Sequence, residues 1–501
     1  MPRETPGSKH GHPRGRTPVL ARWCRRVSVL AVTLFATLIL PSVVPAQQNL
    51  PQMGEPADTT LSPLQEQRLG AEFMRQIRTG LPLVRDVQLE EYIQALGMRL
   101  ARASGKTEGR PFTFFIIDDA SINAFAIPGG YVGINAGLIE VMRREEQLAG
   151  VVAHEVAHVT QRHHARSFAT GNRASLSAAA AVLAAILIGQ ASPEAGQAAL
   201  AAGLAATQQS AINFTRSNEI EADRIGIEIL GNASYDASAM AESFAILRRQ
   251  NNLNTSGSGL EYLRTHPLDN NRIAEAADRA QGQPDRPRVP QTDFALFKAR
   301  LAVLTTGDTA QLERAFKAGL ARGDNLSAAY GLALIAQRAN RLDEALERVN
   351  GLDELAPAHP MVELLRAEVL QGMGEVRDSR ERLAALEALY PERYSIVEKR
   401  VEQLLRARRP EDALEVARRY LQRTDEPNPL AWRQIAGIRQ TLGDSAGSHE
   451  SLARYFESLD ELQRAEGQLE LALRQVPAAS QDELRLQASL KAIRDEAVRR
   501  R

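Results

Sequence analysis

Two histidines four residues apart, with a glutamate directly after the first, stand at His154, Glu155 and His158 in the stretch Val151-Val152-Ala153-His154-Glu155-Val156-Ala157-His158. On a helix, residues four apart share a face, so both imidazoles reach one metal ion. Glu155 falls about 100° further round, within reach of a water on that metal but badly placed to be a ligand. The chemistry this pattern suits is metal-assisted hydrolysis with a carboxylate as base. It needs a third ligand, and Asn218-Glu219-Ile220-Glu221-Ala222-Asp223-Arg224-Ile225-Gly226 offers one. There Glu219 and Asp223 share a helical face, while Glu221 and Glu228 point roughly opposite. Glu219 is the expected third ligand. Asp223, one turn on, can hold a ligand imidazole by its other nitrogen. Zinc held by two histidines and a glutamate keeps a fourth position for water, and a single such set implies one zinc per chain.

In the expected reaction Glu155 takes the proton of the water, and the hydroxide attacks a peptide carbonyl. His266 and Arg272, in Tyr262-Leu263-Arg264-Thr265-His266-Pro267-Leu268-Asp269-Asn270-Asn271-Arg272, are candidate donors to the oxyanion. His164 tests the reading, because a metzincin places its third histidine at that spacing. That plan requires a glycine where this chain has Gln161. A helix continuing through Gln161 carries His164 about 15 Å along the axis from His154. On this reading His163 and His164 are helix-surface residues.

These side chains need elements to hold them. Leu148, Val152, Val156 and Val159 lie opposite the histidines and give the helix an apolar back. Ser62-Pro63 reads as a cap and first turn of a helix to about Gly80, and a second helical pattern covers Asp86 to Ala103. Phe112 to Asp118 reads as a strand, and Asn123 to Ile127 as another, turned by Pro128-Gly129-Gly130 into Tyr131 to Ile134. A small sheet therefore precedes the metal-binding helix, and its edge strand can take up substrate backbone by strand addition. Ala178 to Ala206 is alanine-dominated and short for a membrane span. It reads as a helical hairpin over the cleft, as a peripheral contact with membrane or partner, or as an ordinary buried helix pair.

The 501 residues suffice for two or three domains. Residues 1–46 hold seven Lys/Arg and one acidic residue, leaving 54 basic against 60 acidic residues beyond them, a net of −6. A mildly acidic remainder gives no global reason to bind nucleic acid. Within 1–46, Arg22, Arg25 and Arg26 precede the apolar run Val27 to Leu40 and the small-residue end Val44-Pro45-Ala46. That pattern is a signal peptide cleaved near Ala46, with an uncleaved anchor as the alternative. Removal takes Cys24, the single cysteine, and a periplasmic location fits. Residues 47–61 read as a linker, 62–285 as the catalytic domain and 291–501 as an all-helical domain. In the latter Ala345, Ser379 and Ala413 recur every 34 residues, as do Pro357 and Pro391. A 34-residue period of small residues is the tetratricopeptide spacing, a solenoid of helix pairs whose concave face commonly binds peptide.

His154-Glu155-Val156-Ala157-His158, Glu219-Ile220-Glu221-Ala222-Asp223, Asn123-Ala124-Phe125 and the spacing of His266 to Arg272 together resemble family forty-eight of the zinc metallopeptidases. The family includes the CAAX prenyl protease and HtpX-like enzymes. The exported form with a tetratricopeptide tail is similar to its periplasmic branch, which acts in outer-membrane protein assembly and quality control. The resemblance implies an α+β zincin-like domain, mostly helical with a small sheet, followed by a tetratricopeptide solenoid. It implies zinc at His154, His158 and Glu219, Glu155 as base, and substrate on the strand of Asn123, Ala124 and Phe125. It further implies that His266 caps the zinc and holds the enzyme off. Two readings stay open: a regulated endopeptidase of misassembled exported proteins with repeats recruiting clients, or a chaperone or assembly factor whose repeats bind clients or outer-membrane assembly machinery with little proteolysis.

Overall fold

The Ser62 hydroxyl accepts from the Gln65 N–H, and the Gln65 side chain accepts from the Ser62 N–H, with proline in the first turn. This reciprocal cap starts α1, Pro63–Gly80. Asp86 caps α2, Val87–Ala103, by accepting from the Leu89 N–H. The computed structural model describes residues 61–107, 111–170, 208–253, 260–284 and 286–499. The expected signal peptide, all but the last residue of the linker, and the alanine-rich stretch 178–206 lie outside the described residues.

Strands β1 (Thr113–Ile117), β2 (Ala124–Ile127) and β3 (Tyr131–Asn135) form a sheet of order β1-β3-β2. β2 and β3 make the expected antiparallel hairpin, and β1 joins β3 in parallel. The turn holds Gly129 and Gly130 at φ of 83° and 85°, where side chains are strained. A Cβ on Gly130 would also sit 2.0 Å from the Pro111 carbonyl oxygen. Alternation along the strands sends Phe115, Ile117, Phe125 and Ile127 to a small core with Phe73, Met74 and Ile77 of α1. Phe114, Ile116, Val132 and Ile134 face the large core.

After the short helix α3 (Ala136–Val141), that large core surrounds α4, Glu145–Thr160, which carries the two histidines. The next helices are α5 (His163–Thr170), α6 (Gln208–Asn232), α7 (Ala239–Leu253), α8 (Glu261–Thr265) and α9 (Asn270–Gln281). α4 packs on α2, α6, α7, β2 and β3, and all its residues but Val159 are buried. The apolar back is present, yet the polar face is buried as well. α6 comes this close because Gly226 has no side chain: a Cβ there would lie 2.6 Å from Met240 Cε and 3.3 Å from the His154 backbone nitrogen. One expectation fails. The helix does not continue through Gln161; it stops at Thr160, and the chain turns at Arg162 with φ 52°. A left-handed arginine is strained, and tertiary partners hold it: its guanidinium bonds Glu66 at 3.1 Å and the Leu61 carbonyl at 2.6 Å. α5 therefore folds back toward α4.

The rest is helical: α10 (Thr292–Thr305), α11 (Thr309–Ala321), α12 (Asn325–Arg338), α13 (Leu342–Asn350), α14 (Pro360–Met373), α15 (Val376–Leu389), α16 (Tyr394–Arg406), α17 (Pro410–Arg423), α18 (Pro429–Thr441), α19 (Ser445–Ser458), α20 (Leu462–Leu473) and α21 (Gln481–Arg499). From α12 onward each helix packs on its neighbour in sequence, the stacked pairs of a tetratricopeptide-type array. Ala345, Ser379 and Ala413 are buried at the crossings of α13, α15 and α17, and the Ser379 hydroxyl donates to the Ala367 carbonyl of α14 at 2.8 Å. Left-handed residues recur one repeat apart at Asn340, Gly374, Arg408 and Gly443, where each pair turns. Among the described residues no helix is long and apolar enough to cross a membrane.

α10 belongs to two cores. Phe294, Phe297 and Leu301 sit in the core around α4, while Leu296, Ala299 and Val303 sit in that of the first repeats. Phe297 stacks on Tyr92 of α2 with centroids 4.1 Å apart, and Arg300 donates to Asp86 at 2.7 and 2.8 Å. Further along, Glu91 of α2 accepts from the Ser395 N–H and hydroxyl at 2.9 and 2.6 Å. Between α2 and the repeats lies a cavity of about 2430 Å³ lined by, among others, Glu90, Glu398, Arg393 and Tyr455.

The shared helix makes unfolding a joint event. Phe297→Ala is expected to cost about 3–5 kcal/mol and to lower the melting of both halves in one transition by circular dichroism. A repeat half that melts unchanged would show that the cores are independent. Burial pushes the carboxyls of Glu90 and Glu398 up to about 7, with Asp86 adding to both shifts and Glu398 to that of Glu90. A carboxyl raised in the folded state is without penalty below its ordinary 4.5 and destabilises as pH rises through about 7. Glu90→Gln should therefore raise the melting temperature at pH 8 and leave it nearly unchanged at pH 4; the opposite ordering would reverse the assignment.

Candidate metal centre

α4 sets His154 and His158 one turn apart, and their Nε2 atoms face each other at 3.0 Å. Glu219 of α6 enters between them: its carboxylate lies 3.4 Å from His154 Nε2 and 3.3 Å from His158 Nε2. His266 closes the group, with Nδ1 3.1 Å from Glu219 and 3.3 Å from His154 Nε2. All four side chains are buried, and their donor atoms lie within 4.8 Å of one another. Lone pairs brought together in an apolar interior repel unless a cation joins them, so this nitrogen and oxygen set fits a divalent metal. Glu155, 1% exposed, has both carboxylate oxygens without a hydrogen bond among the described residues, and His266 Nε2 stands 3.6 Å away. A carboxylate left so bare in a buried site is a candidate for a task other than structure.

Tertiary structure holds each group. His154 Nδ1 lies 2.8 Å from Asp223 Oδ1, with α6 supplying both Glu219 and Asp223 from one face. Arg272, near the start of α9, donates to Asp223 from Nε and Nη2 at 2.7 and 2.8 Å, to the Pro267 carbonyl at 2.5 Å, and lies 3.0 Å from Glu219. Every nitrogen of its guanidinium thereby has a partner behind the ligand atoms. Burial alone would raise the carboxyls of Glu219 and Asp223. Facing imidazoles, joined at Asp223 by Arg272, outweigh it and hold both below the usual range. Burial likewise keeps the His158 imidazole below its ordinary value, favouring the neutral form that a ligand needs.

His266 ends α8 at φ −121°, ψ 78°, a non-helical conformation of the kind a following proline imposes. Its ring stacks on Tyr262 with centroids 4.8 Å apart. The backbone of α8 is tied to the sheet, since the Tyr262 N–H donates to the Ile122 carbonyl at 3.2 Å. Asn123 follows immediately, fully buried, with neither side-chain atom partnered among the described residues. Ala124 and Phe125 open β2, which stands at the end of the sheet order and packs on α4.

Two residues read from the sequence as peripheral are not. His163 is 3% exposed, and its Nδ1 lies 2.9 Å from Nδ1 of His158. His164 is partly buried, and its ring bonds the Ala126 backbone. The helix break at Arg162 makes the difference, and no glycine announces it. Glu221 points away from the ligand atoms as its helical phase requires, toward His163 and Arg166.

The sequence pattern of peptidase family M48 matches residues 87–280. The chain is 38% identical over 363 residues to the beta-barrel assembly-enhancing protease of Escherichia coli (strain K12), covering 71% of this chain and 74% of that one. It is 42% identical over 280 residues to the putative beta-barrel assembly-enhancing protease of Vibrio cholerae, 55% of this chain and 57% of the relative. It is 30% identical over 182 residues to the mitochondrial metalloendopeptidase OMA1 of Schizosaccharomyces pombe, 36% and 50% of the two chains. A buried His/Glu cluster with a bare carboxylate beside it, at the centre of the matched region, agrees with that kinship, and the chain belongs to peptidase family M48 as a metalloendopeptidase of the branch that holds the beta-barrel assembly-enhancing proteases.

Proposed function

We propose that the chain is a zinc endopeptidase of the periplasm that removes misassembled exported proteins, β-barrel proteins of the outer membrane among them. The name of its relatives supports the substrate class, and the basic and apolar pattern of residues 1–46 supports export. The observation that carries the hydrolytic reading is the bare, buried Glu155 carboxylate beside the convergent His154, His158 and Glu219. In this reading those three hold one zinc per chain. Bound there, the metal supplies Lewis acidity toward a water and a peptide carbonyl.

The chain's own groups do the rest. Glu155 takes a proton on a carboxylate oxygen and returns it to the departing amine. Asp223 keeps the His154 imidazole oriented through Nδ1, and Arg272 braces Asp223 and Glu219 together. Asn123, with a free buried amide, and the β2 residues Ala124 and Phe125 suit the backbone of an extended peptide. His266, held on a stiff turn within 3.3 Å of His154 Nε2 and 3.1 Å of Glu219, acts as a latch by taking the position that water needs.

Residues 62–285 form the catalytic part and 291–501 the recruiting part. The cavity between α2 and the repeats favours a second reading, in which clients or assembly machinery are bound there with little cleavage. Glu155→Gln separates the two: cleavage of an unfolded model protein should fall by more than a thousandfold with zinc retained, whereas a client-binding role survives. Full activity in Glu155→Gln would sink the assignment of the base. Metal analysis supplies a second check. His154→Ala and Glu219→Ala should each lose zinc from the purified chain, and retained zinc in either would remove that residue from the ligand set.

Removing the latch has opposed effects, because an open site gains turnover while any oxyanion contact of His266 is lost. A blocked metal stops every turnover, whereas one lost donor costs roughly 3–4 kcal/mol. His266→Ala should therefore raise basal proteolysis at equal zinc occupancy, and Arg272→Ala should lower it. A zinc-loaded His266→Ala enzyme slower than wild type would make His266 a catalytic residue and not a latch.

A further inference from the structure

His158 is supported from behind by a third histidine. Its Nε2 faces His154 and Glu219, and its Nδ1 lies 2.9 Å from Nδ1 of His163, the two rings meeting edge to face at 4.8 Å. His163 Nε2 is in turn 3.3 Å from Glu221 Oε2, which also accepts from Arg166 at 2.8 Å. The proton positions follow from donor and acceptor counting. A neutral imidazole carries one N–H, so a His158 that offers the Nε2 lone pair to a metal has its hydrogen on Nδ1 and must donate there. His163 Nδ1 is the acceptor at that distance, which leaves the hydrogen of His163 on Nε2, directed at the Glu221 carboxylate. Every donor in the chain His158–His163–Glu221 then meets an acceptor. The opposite tautomer of His163 would set two N–H groups against each other at 2.9 Å.

We propose that His163, held by Glu221, is a positioning residue that fixes the tautomer and ring orientation of His158 as a metal ligand; this rests on His154, His158 and Glu219 being the ligands. It differs from the support of His154, which is the carboxylate of Asp223 itself. His158 is backed by an uncharged ring, with the carboxylate one group further out. The two ligands of the same motif thus carry unequal support.

The test follows zinc leaving the full chain for a chromophoric chelator, together with the visible spectrum of the cobalt-substituted protein. His163→Leu fills the space but accepts nothing; its zinc should leave roughly 10–100-fold faster and its cobalt bands should shift. His163→Asn places an oxygen near the position of Nδ1 and should restore most of the retention and the wild-type spectrum. Glu221→Ala, at a side chain 27% exposed, should speed release by a smaller factor, and Glu221→Gln by less still. Release from His163→Leu at the wild-type rate, or from His163→Asn as fast as from His163→Leu, overturns the proposal. If His163→Leu does not fold, Glu221→Ala decides alone, and an unchanged rate there overturns it too. Wild-type protein that holds no zinc would instead sink the ligand assignment beneath it.

Discussion

The molecule is built around a cost: three charged or metal-seeking side chains, His154, Glu155 and His158, ride on a helix that is core on every side. Water cannot solvate them, so each must find its partner within the protein or in a bound ion. The ligand set is therefore wrapped in a second layer of polar groups. Asp223 and Arg272 stand behind His154 and Glu219, and His163 and Glu221 behind His158. Glu155 is left with no hydrogen bond among the described residues, and in the proposed function that exception is the group kept for proton transfer.

The same helix is anchored at its other end. Glu145 and Glu146 open α4, where carboxylates favour the helix dipole. Glu146 accepts from the Val289 N–H at 2.9 Å and from Gln291 Nε2 at 3.1 Å, and Gln291 Oε1 accepts from the Glu145 N–H at 2.9 Å. Val289 and Gln291 belong to the segment that leads into α10. The start of the repeat array is thus bonded directly to the start of the catalytic helix. With Phe294, Phe297 and Leu301 lodged in the core around α4, the two halves share their packing and not merely a linker. Contacts of Glu91 with Ser395 and of Arg78 with the Leu459 carbonyl extend the attachment along the array. A client held in the cavity between α2 and the repeats would lie against elements that pack on α4.

His266 brings both themes together. It approaches the ligand atoms from a short helix that is tied to the sheet at Ile122, beside Asn123 and the strand suited to substrate. Anything that shifts α8 bears on the His154, His158 and Glu219 cluster and on the start of β2 at once. Arg272 adds to this coupling, since one guanidinium joins the carbonyl of Pro267, directly after His266, to Glu219 and Asp223 on α6.

Much of this was legible in the residues. The four-residue spacing of His154 and His158, the shared helical face of Glu219 and Asp223, the Pro128-Gly129-Gly130 turn and the period through Ala345, Ser379 and Ala413 are all consequences of local geometry, which a sequence carries in full. Helix starts at Ser62 and Asp86 followed from side chains that bond the nearest backbone. What the sequence could not carry was contact between distant segments. Arg162 turns left-handed without being glycine because Glu66 and Leu61, about a hundred residues earlier, hold its side chain, and that turn moves His163 from the expected helix surface onto His158. Arg272 reads as a candidate oxyanion donor in its own turn, and its contacts with Asp223 and Glu219 arise only once α6 lies beside α9. α10 reads as the first helix of a separate domain, yet both its faces are apolar, and only the presence of two neighbouring cores decides that both are used. Periodicity fixes which way a side chain points along its own helix; what it meets there is set by the packing of the other elements.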